Sequence, residues 1–248
     1  MKKIISNILT AGIVLILTGC GAGSNSAGKA VGTKPAAKVD TAMTVTISSS
    51  DELKEITEKD VKDTITSLNQ EYQQLKKDVD SYEKYVKNID KMEAFYEKAC
   101  DTNKELCLRM REYSWNYAQK IVLSDQSNDE KYEELDTIYD YVYDDAGDDI
   151  YDEIYGGIME EIYDDYYDGI VEDGYDSVPY EEWSDTLSEE YDRWSDAAKE
   201  IYREWSDSQS DIYRFGSDVR SEVYSNDMDR AKDKLRDFKE DIEKSKEE

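Results

Sequence analysis

From residue 61 the apolar positions Val61, Ile65, Leu68, Tyr72, Leu75, Val79, Tyr82, Val86 and Ile89 follow one another at alternating spacings of four and three. This heptad seam predicts a helix that packs along another helix. A capping box of Ser49 with Glu52 opens it. Run unbroken to Cys100, it spans about 75 Å at roughly 1.5 Å per residue. Around Asp101-Thr102-Asn103 we expect a tight reversal, because Thr102 with Glu105 offers a second capping box. The next helix carries Leu106, Met110, Tyr113, Tyr117 and Ile121 and stops in the polar run 124–129, where Ser127 with Glu130 makes a third box. Val178-Pro179 marks another break, since proline disfavours helix in the residue before it and suits a first turn. A long final helix follows, with Leu187, Tyr191, Trp194, Ala198, Ile201, Trp205, Ile212, Phe215 and Val219 mostly on the same heptad register. The two long helices are expected to pack on each other or on a partner chain.

Between them the grain changes to a four-residue unit: Ile138-Tyr139, Val142-Tyr143, Ile150-Tyr151, Ile154-Tyr155, Ile158-Met159, Ile162-Tyr163, Tyr166-Tyr167 and Ile170-Val171, each followed mostly by acids. A strand would leave neither face apolar, because Ile150 would share its side with Asp152 and Tyr151 with Glu153. In an α-helix four residues turn about 400°, so the stripe drifts some 40° per unit and nearly circles the rod. The expectation is that the segment wraps, breaks into short helices at Gly147, Gly156-Gly157, Gly169 and Gly174, or stays partly disordered. Residues 125–180 hold 21 acidic residues and one basic residue, Lys131. Like charges stacked at i, i+4, such as Asp140, Asp144, Asp148 and Asp152, cost a few tenths of a kcal/mol per pair, at roughly 0.2–0.5.

The fold class implied is all-α: an elongated bundle of coiled-coil-like antiparallel helices with a flexible N-terminal tether. Two prolines, 37% charged residues and 38% hydrophobic residues, many of them tyrosine, suit long helices better than sheets. Five regions follow: an export signal over 1–19, a tether over 20–48 rich in Gly, Ala, Ser, Lys and Thr, a helical hairpin over 49–124, the acidic tyrosine-rich segment over 125–180, and the C-terminal helix over 181–248.

Met1-Lys2-Lys3, the apolar run from Ile8 to Leu17 and the small residues before Cys20 have the form of a secretory signal. The stretch from Ile4 to Gly19 is short for a membrane span and contains Ser6, Asn7 and Thr10. Leu17-Thr18-Gly19-Cys20 resembles the lipobox of bacterial lipoproteins, and the likeness covers residues 1 to 20. The resemblance implies cleavage before Cys20, covalent diacylglycerol and an acyl chain on Cys20, and an extracytoplasmic protein held on the cell membrane or outer envelope. Two or more chains anchor stably where one does not. Loss of Lys2 and Lys3 takes the formal charge from -29 to -31.

An export destination permits oxidation, so a reversal at 101–103 would let Cys100 and Cys107 form a disulfide that clips the hairpin. Hard cations such as calcium take carboxylate oxygens, and Asp144, Asp145, Asp148, Asp149, Asp164, Asp165 and Asp168 are candidates for weak, diffuse binding. Asp164 to Tyr175 approaches an EF-hand loop with Gly169 at the turn, but Tyr166 and Tyr175 stand where oxygen ligands belong. Catalysis is disfavoured: histidine is absent, and no phosphate loop, nucleophile elbow or zinc signature is found. Charge disfavours nucleic acid. The leading expectation is a binding or scaffold role toward a basic protein or peptide, with helix-mediated self-association. A surface responsive to divalent cations is the alternative.

Overall fold

Ser49 opens the first helix, α1 (Ser50–Asp78): its backbone is extended and its hydroxyl accepts the Glu52 N–H at 3.2 Å. The computed structural model describes residues 46–247, and the side chains of Asp168, Glu172 and Asp173 are outside the described set. The signal, Cys20 and most of the tether therefore lie outside the described residues. Ile47, assigned to the tether, is instead buried in the core, so the folded body begins earlier than expected.

The heptad seam of α1 buries Leu53, Val61, Ile65, Leu68, Tyr72 and Leu75. It does not reach Cys100. The helix stops at Asp78, Ser81 is extended, and a short α2 (Tyr82–Lys87) leads into α3 (Ile89–Leu123). Asn88 holds this corner by donating its side-chain amide to the carbonyls of Asp78 at 3.3 Å and Lys84 at 2.8 Å. Val79 and Tyr82 stay buried through the bend, whereas Val86 drops off the seam to 42% exposure.

The expected reversal at 101–103 is absent, and α3 runs straight through it. Asn103 is buried there and donates its side-chain amide to the Ile201 carbonyl across the bundle at 3.1 Å. Cys100 and Cys107 are thus seven residues apart on one helix, a rise of about 10.5 Å, against a disulfide limit near 7 Å. Both are free thiols.

The third capping box forms as read: Ser127 and Glu130 cap each other at the start of α4 (Asn128–Ile138). The acidic segment neither breaks at its glycines nor disorders. It continues as helix that widens into π turns over Tyr139–Asp145, Tyr151–Met159 and Tyr163–Val171, with short α turns α5 (Ala146–Ile150) and α6 (Glu160–Ile162) between, and ends in a 3-10 turn at Glu172–Asp176. A π turn closes i to i+5 and so holds more residues than an α turn. Interleaving the two averages about four residues per turn. The four-residue stripe then runs straight: Ile138, Val142, Ala146, Ile150, Ile154, Ile158, Ile162 and Tyr166 are all buried on one line.

After Pro179 comes α7 (Tyr180–Tyr224), 45 residues and about 67 Å long at 1.5 Å per residue. The C-terminal region is two helices instead of one. Asn226, at φ 61°, takes the left-handed turn that asparagine tolerates, and Asp227 caps α8 (Met228–Ser245) by accepting the Arg230 N–H at 3.2 Å. Among the described residues every element is helical, and no helix is long and apolar enough to cross a membrane.

α1 and α3 are antiparallel. The acidic segment runs alongside α1, with Lys54 over the Tyr141 ring at one end and Lys76 on Glu161 at the other. α7 lies antiparallel to the acidic segment and parallel to α3, and α8 folds back onto α3 and α7. Of the seam expected as one helix to Cys100, α1 packs on α3 and the acidic segment, whereas its continuation at Tyr85, Tyr96 and Cys100 packs on α7.

Candidate functional site: an acidic aromatic ladder

Along α7, tyrosine recurs every eleven residues at 180, 191, 202, 213 and 224, and tryptophan recurs at the same interval at 183, 194 and 205. Eleven residues fill about three α turns, so each series stays on one face of a nearly straight helix. Along the acidic segment the corresponding tyrosines recur every twelve: 139, 151 and 163, each followed four residues later by a second tyrosine at 143, 155 and 167. Three turns at about four residues per turn take twelve residues. The π widening thus lets a twelve-residue repeat march in step with an eleven-residue one.

The two series meet in repeated units. Tyr139–Tyr143, Tyr151–Tyr155 and Tyr163–Tyr167 are stacked, with centroids 4.9, 5.2 and 4.8 Å apart. Each α7 tyrosine leans on a pair: Tyr213 on Tyr143, Tyr202 on Tyr155 and Tyr191 on Tyr167, at 5.7, 6.0 and 5.5 Å. Each indole packs against the first tyrosine of a unit, Trp205 on Tyr151 at 4.6 Å and Trp194 on Tyr163 at 4.7 Å. Its N–H donates to a backbone carbonyl, from Trp205 to Gly147, Trp194 to Met159 and Trp183 to Val171, at 2.8, 2.8 and 2.7 Å. The accepting carbonyls are themselves twelve residues apart.

The indoles are half-buried while the α7 tyrosines face outward, between 44% and 77% exposed for Tyr180, Tyr191, Tyr202, Tyr213 and Tyr224. An aromatic ridge thus runs the length of the bundle. Along the acidic segment the carboxylates are scarcely neutralised. Lys76 pairs with Asp165 at 2.5 Å and Glu161 at 2.8 Å, and Arg220 pairs with Asp136. Among the described residues Asp140, Asp144, Asp145, Asp148, Asp149, Asp152 and Asp164 have no basic partner. Burial, then the neighbouring carboxylates Asp145, Asp152, Glu58 and Asp148, raise the Asp149 carboxyl above its ordinary range. Burial followed by Asp148, Asp140 and Asp145 does the same for Asp144.

The candidate cation ligands are therefore spread along the segment. Asp165 is engaged by Lys76 and by the Tyr72 hydroxyl at 2.6 Å. No three His, Cys, Asp or Glu side chains converge as a metal shell among the described residues. Cys100 and Cys107 face α7, and burial pushes both thiols up to about 12.

One charge is buried outright. Glu190, 1% exposed, sits in the α7 stripe of Ile201, Ile212 and Val223, again at eleven-residue intervals. The hydroxyls of Tyr85 and Tyr96 donate to it and Arg193 approaches to 3.5 Å. Burial raises its carboxyl nonetheless.

Heptad counting of α7 finds Ala198, Ile201, Ile212, Phe215 and Val219 in the core but also places there Tyr191, which is 44% exposed, and it hides the ladder, because a repeat of seven scatters residues that recur every eleven. The signal available was the equal spacing of Tyr180, Tyr191, Tyr202, Tyr213 and Tyr224. No protein-family model matches this chain, and comparison with curated proteins and with solved structures finds no match.

Proposed function

We propose that this chain is a lipid-anchored, extracytoplasmic binding or scaffold protein of a bacterial cell envelope, held to the membrane through Cys20 and offering its acidic aromatic ridge to a basic protein or peptide. The observation that carries the binding role is the ridge: outward tyrosines every eleven residues on α7, together with an acidic segment whose carboxylates are scarcely neutralised. Tyrosine supplies contact area at low entropic cost and is enriched at protein interfaces. A field of one sign speeds encounter with cationic partners and weakens as salt rises. The reading gives no residue a catalytic role.

Two measurements test it. Cell fractionation with mass spectrometry of the processed chain should find the protein in membranes with a diacylglyceryl Cys20, and Cys20→Ser should release it; an unmodified, soluble wild-type chain would remove the anchor. Binding of the full chain in detergent to a lysine- and arginine-rich peptide should fall with salt and fall further when Tyr191, Tyr202 and Tyr213 are replaced by serine. Affinity unaffected by those substitutions would remove the ridge.

A further inference from the structure

The ladder has four indole positions at eleven-residue intervals, three of them filled: Trp205 and Trp194 stand beside stacked tyrosine pairs, and Trp183 stands between Tyr175 and Tyr180. Stepping by eleven along α7 from Trp183, Trp194 and Trp205 leads to Gly216. Stepping by twelve along the facing carbonyls from Val171, Met159 and Gly147 leads to Leu135. The rest of the fourth unit is in place: Tyr139 stacks on Tyr143, and Tyr213 packs against both. Where the indole would be there is a recess of about 390 Å³, lined by Leu135, Tyr139, Tyr143, Tyr213, Gly216 and Arg220. A Cβ on Gly216 would meet nothing within 4 Å.

We infer that this recess is a binding site for a small aromatic amine, an indole-sized ring carrying an ammonium group. The three filled units show the ring's surroundings: two tyrosine rings packed tilted or edge-on against the indole, and a backbone carbonyl that accepts its N–H. A carbonyl oxygen has two lone pairs, so Leu135 can accept from a ligand while serving its own helix. The cation follows from the charges at the mouth. Arg220 is neutralised by Asp136, and Asp140, which also lines the recess, has no basic partner among the described residues. An ammonium group there meets a free carboxylate and two tyrosine faces, both of which favour it. The inference goes beyond the envelope reading, since the recess would bind such a ligand whether or not the chain is anchored or the ridge engages a basic partner.

The test uses the full chain in detergent micelles and tryptamine as the probe, followed by ligand-observed NMR saturation transfer and by calorimetry. Tryptamine should bind wild type, and indole-3-propionate, with the same ring and the opposite charge, should bind at least about tenfold more weakly. Gly216→Trp fills the recess with the chain's own indole and should abolish tryptamine binding while raising the melting temperature. Tyr139→Ser, at a residue already 38% exposed, should weaken binding with the helical spectrum unchanged, which keeps the test open if the tryptophan variant does not fold. Absence of tryptamine binding to wild type, equal binding to a folded Gly216→Trp chain, or equal affinity for the propionate would each overturn the proposal.

Discussion

The Tyr96 hydroxyl donates to Glu190 at 2.6 Å, inside a stripe of α7 that is otherwise Ile201, Ile212 and Val223. A carboxylate placed among aliphatic residues is tolerable only while its oxygens are served. Hydrogen bonds to charged groups contribute about 1.5–3 kcal/mol. Tyr96→Phe should therefore destabilise the fold by about that amount in chemical denaturation. Tyr166→Phe should do the opposite: its hydroxyl is buried without a partner among the described residues, and removing it should be neutral or stabilising by about 1 kcal/mol. Equal losses for the two variants would contradict this assignment.

Stability should rise as pH falls from 7 toward about 5. Glu190, Asp149 and Asp144 all have carboxyls raised by burial, the two aspartates also by neighbouring carboxylates. A carboxyl whose folded value exceeds its unfolded value binds more protons in the folded state. Its stabilising contribution is fully present below the unfolded value and is lost as pH rises through the folded one. Thermal melts by circular dichroism should show a higher melting temperature at the lower pH, with a smaller rise in Glu190→Gln. A melting temperature that falls over this interval would refute the claim.

Two glycines on facing elements should respond in opposite ways. A Cβ at Gly147 would come within 2.4 Å of the Gln209 side chain, which is itself buried. Gly147→Ala should cost at least about 1 kcal/mol, since overpacking at a filled contact outweighs the gain in helix propensity. Gly216→Ala enters open space and should stabilise by up to about 1 kcal/mol. Denaturation midpoints of the two variants decide it.

Trp194→Phe should lose the bond to the Met159 carbonyl, about 1 kcal/mol, together with part of the packing on Tyr163. The same change at Trp183 and Trp205 should have a similar effect, because each indole makes the same bond. Unfolding free energies that differ widely among the three would show that the units are not equivalent.

Cys100 and Cys107 should be recovered as free thiols by mass spectrometry of non-reduced peptides. Thiols raised to about 12 carry little thiolate at neutral pH, so alkylation should be slow until the chain is denatured. Rapid labelling of Cys107 in the native protein would contradict its burial; Cys100 is half-buried.

Much of this structure was legible locally. The seam from Val61 to Leu75, the capping box at Ser127 and Glu130, and the stop at Pro179 each depend on residues within a few positions of one another. The corner at Asn88 was not legible, because the Asp78 carbonyl it satisfies is ten residues away and neither glycine nor proline marks the bend. Cys100 and Cys107 were misplaced for a related reason: a capping box at Thr102 and Glu105 is a local option, and Asn103 bonding to Ile201 across the bundle overrides it.

By itself the sequence determined that the chain is helical, where most of its apolar stripes run, and that the middle segment repeats every four residues. It could not decide how a four-residue repeat is buried, because on an isolated α-helix that stripe spirals out of any neighbour's reach. Only the tertiary structure decided this. α1, α3 and α7 present straight apolar faces, so the stripe from Ile138 to Tyr166 is buried only if the backbone widens into π turns. Packing selects the turn, and in doing so brings a twelve-residue repeat into step with an eleven-residue one and leaves Gly216 facing an unfilled unit.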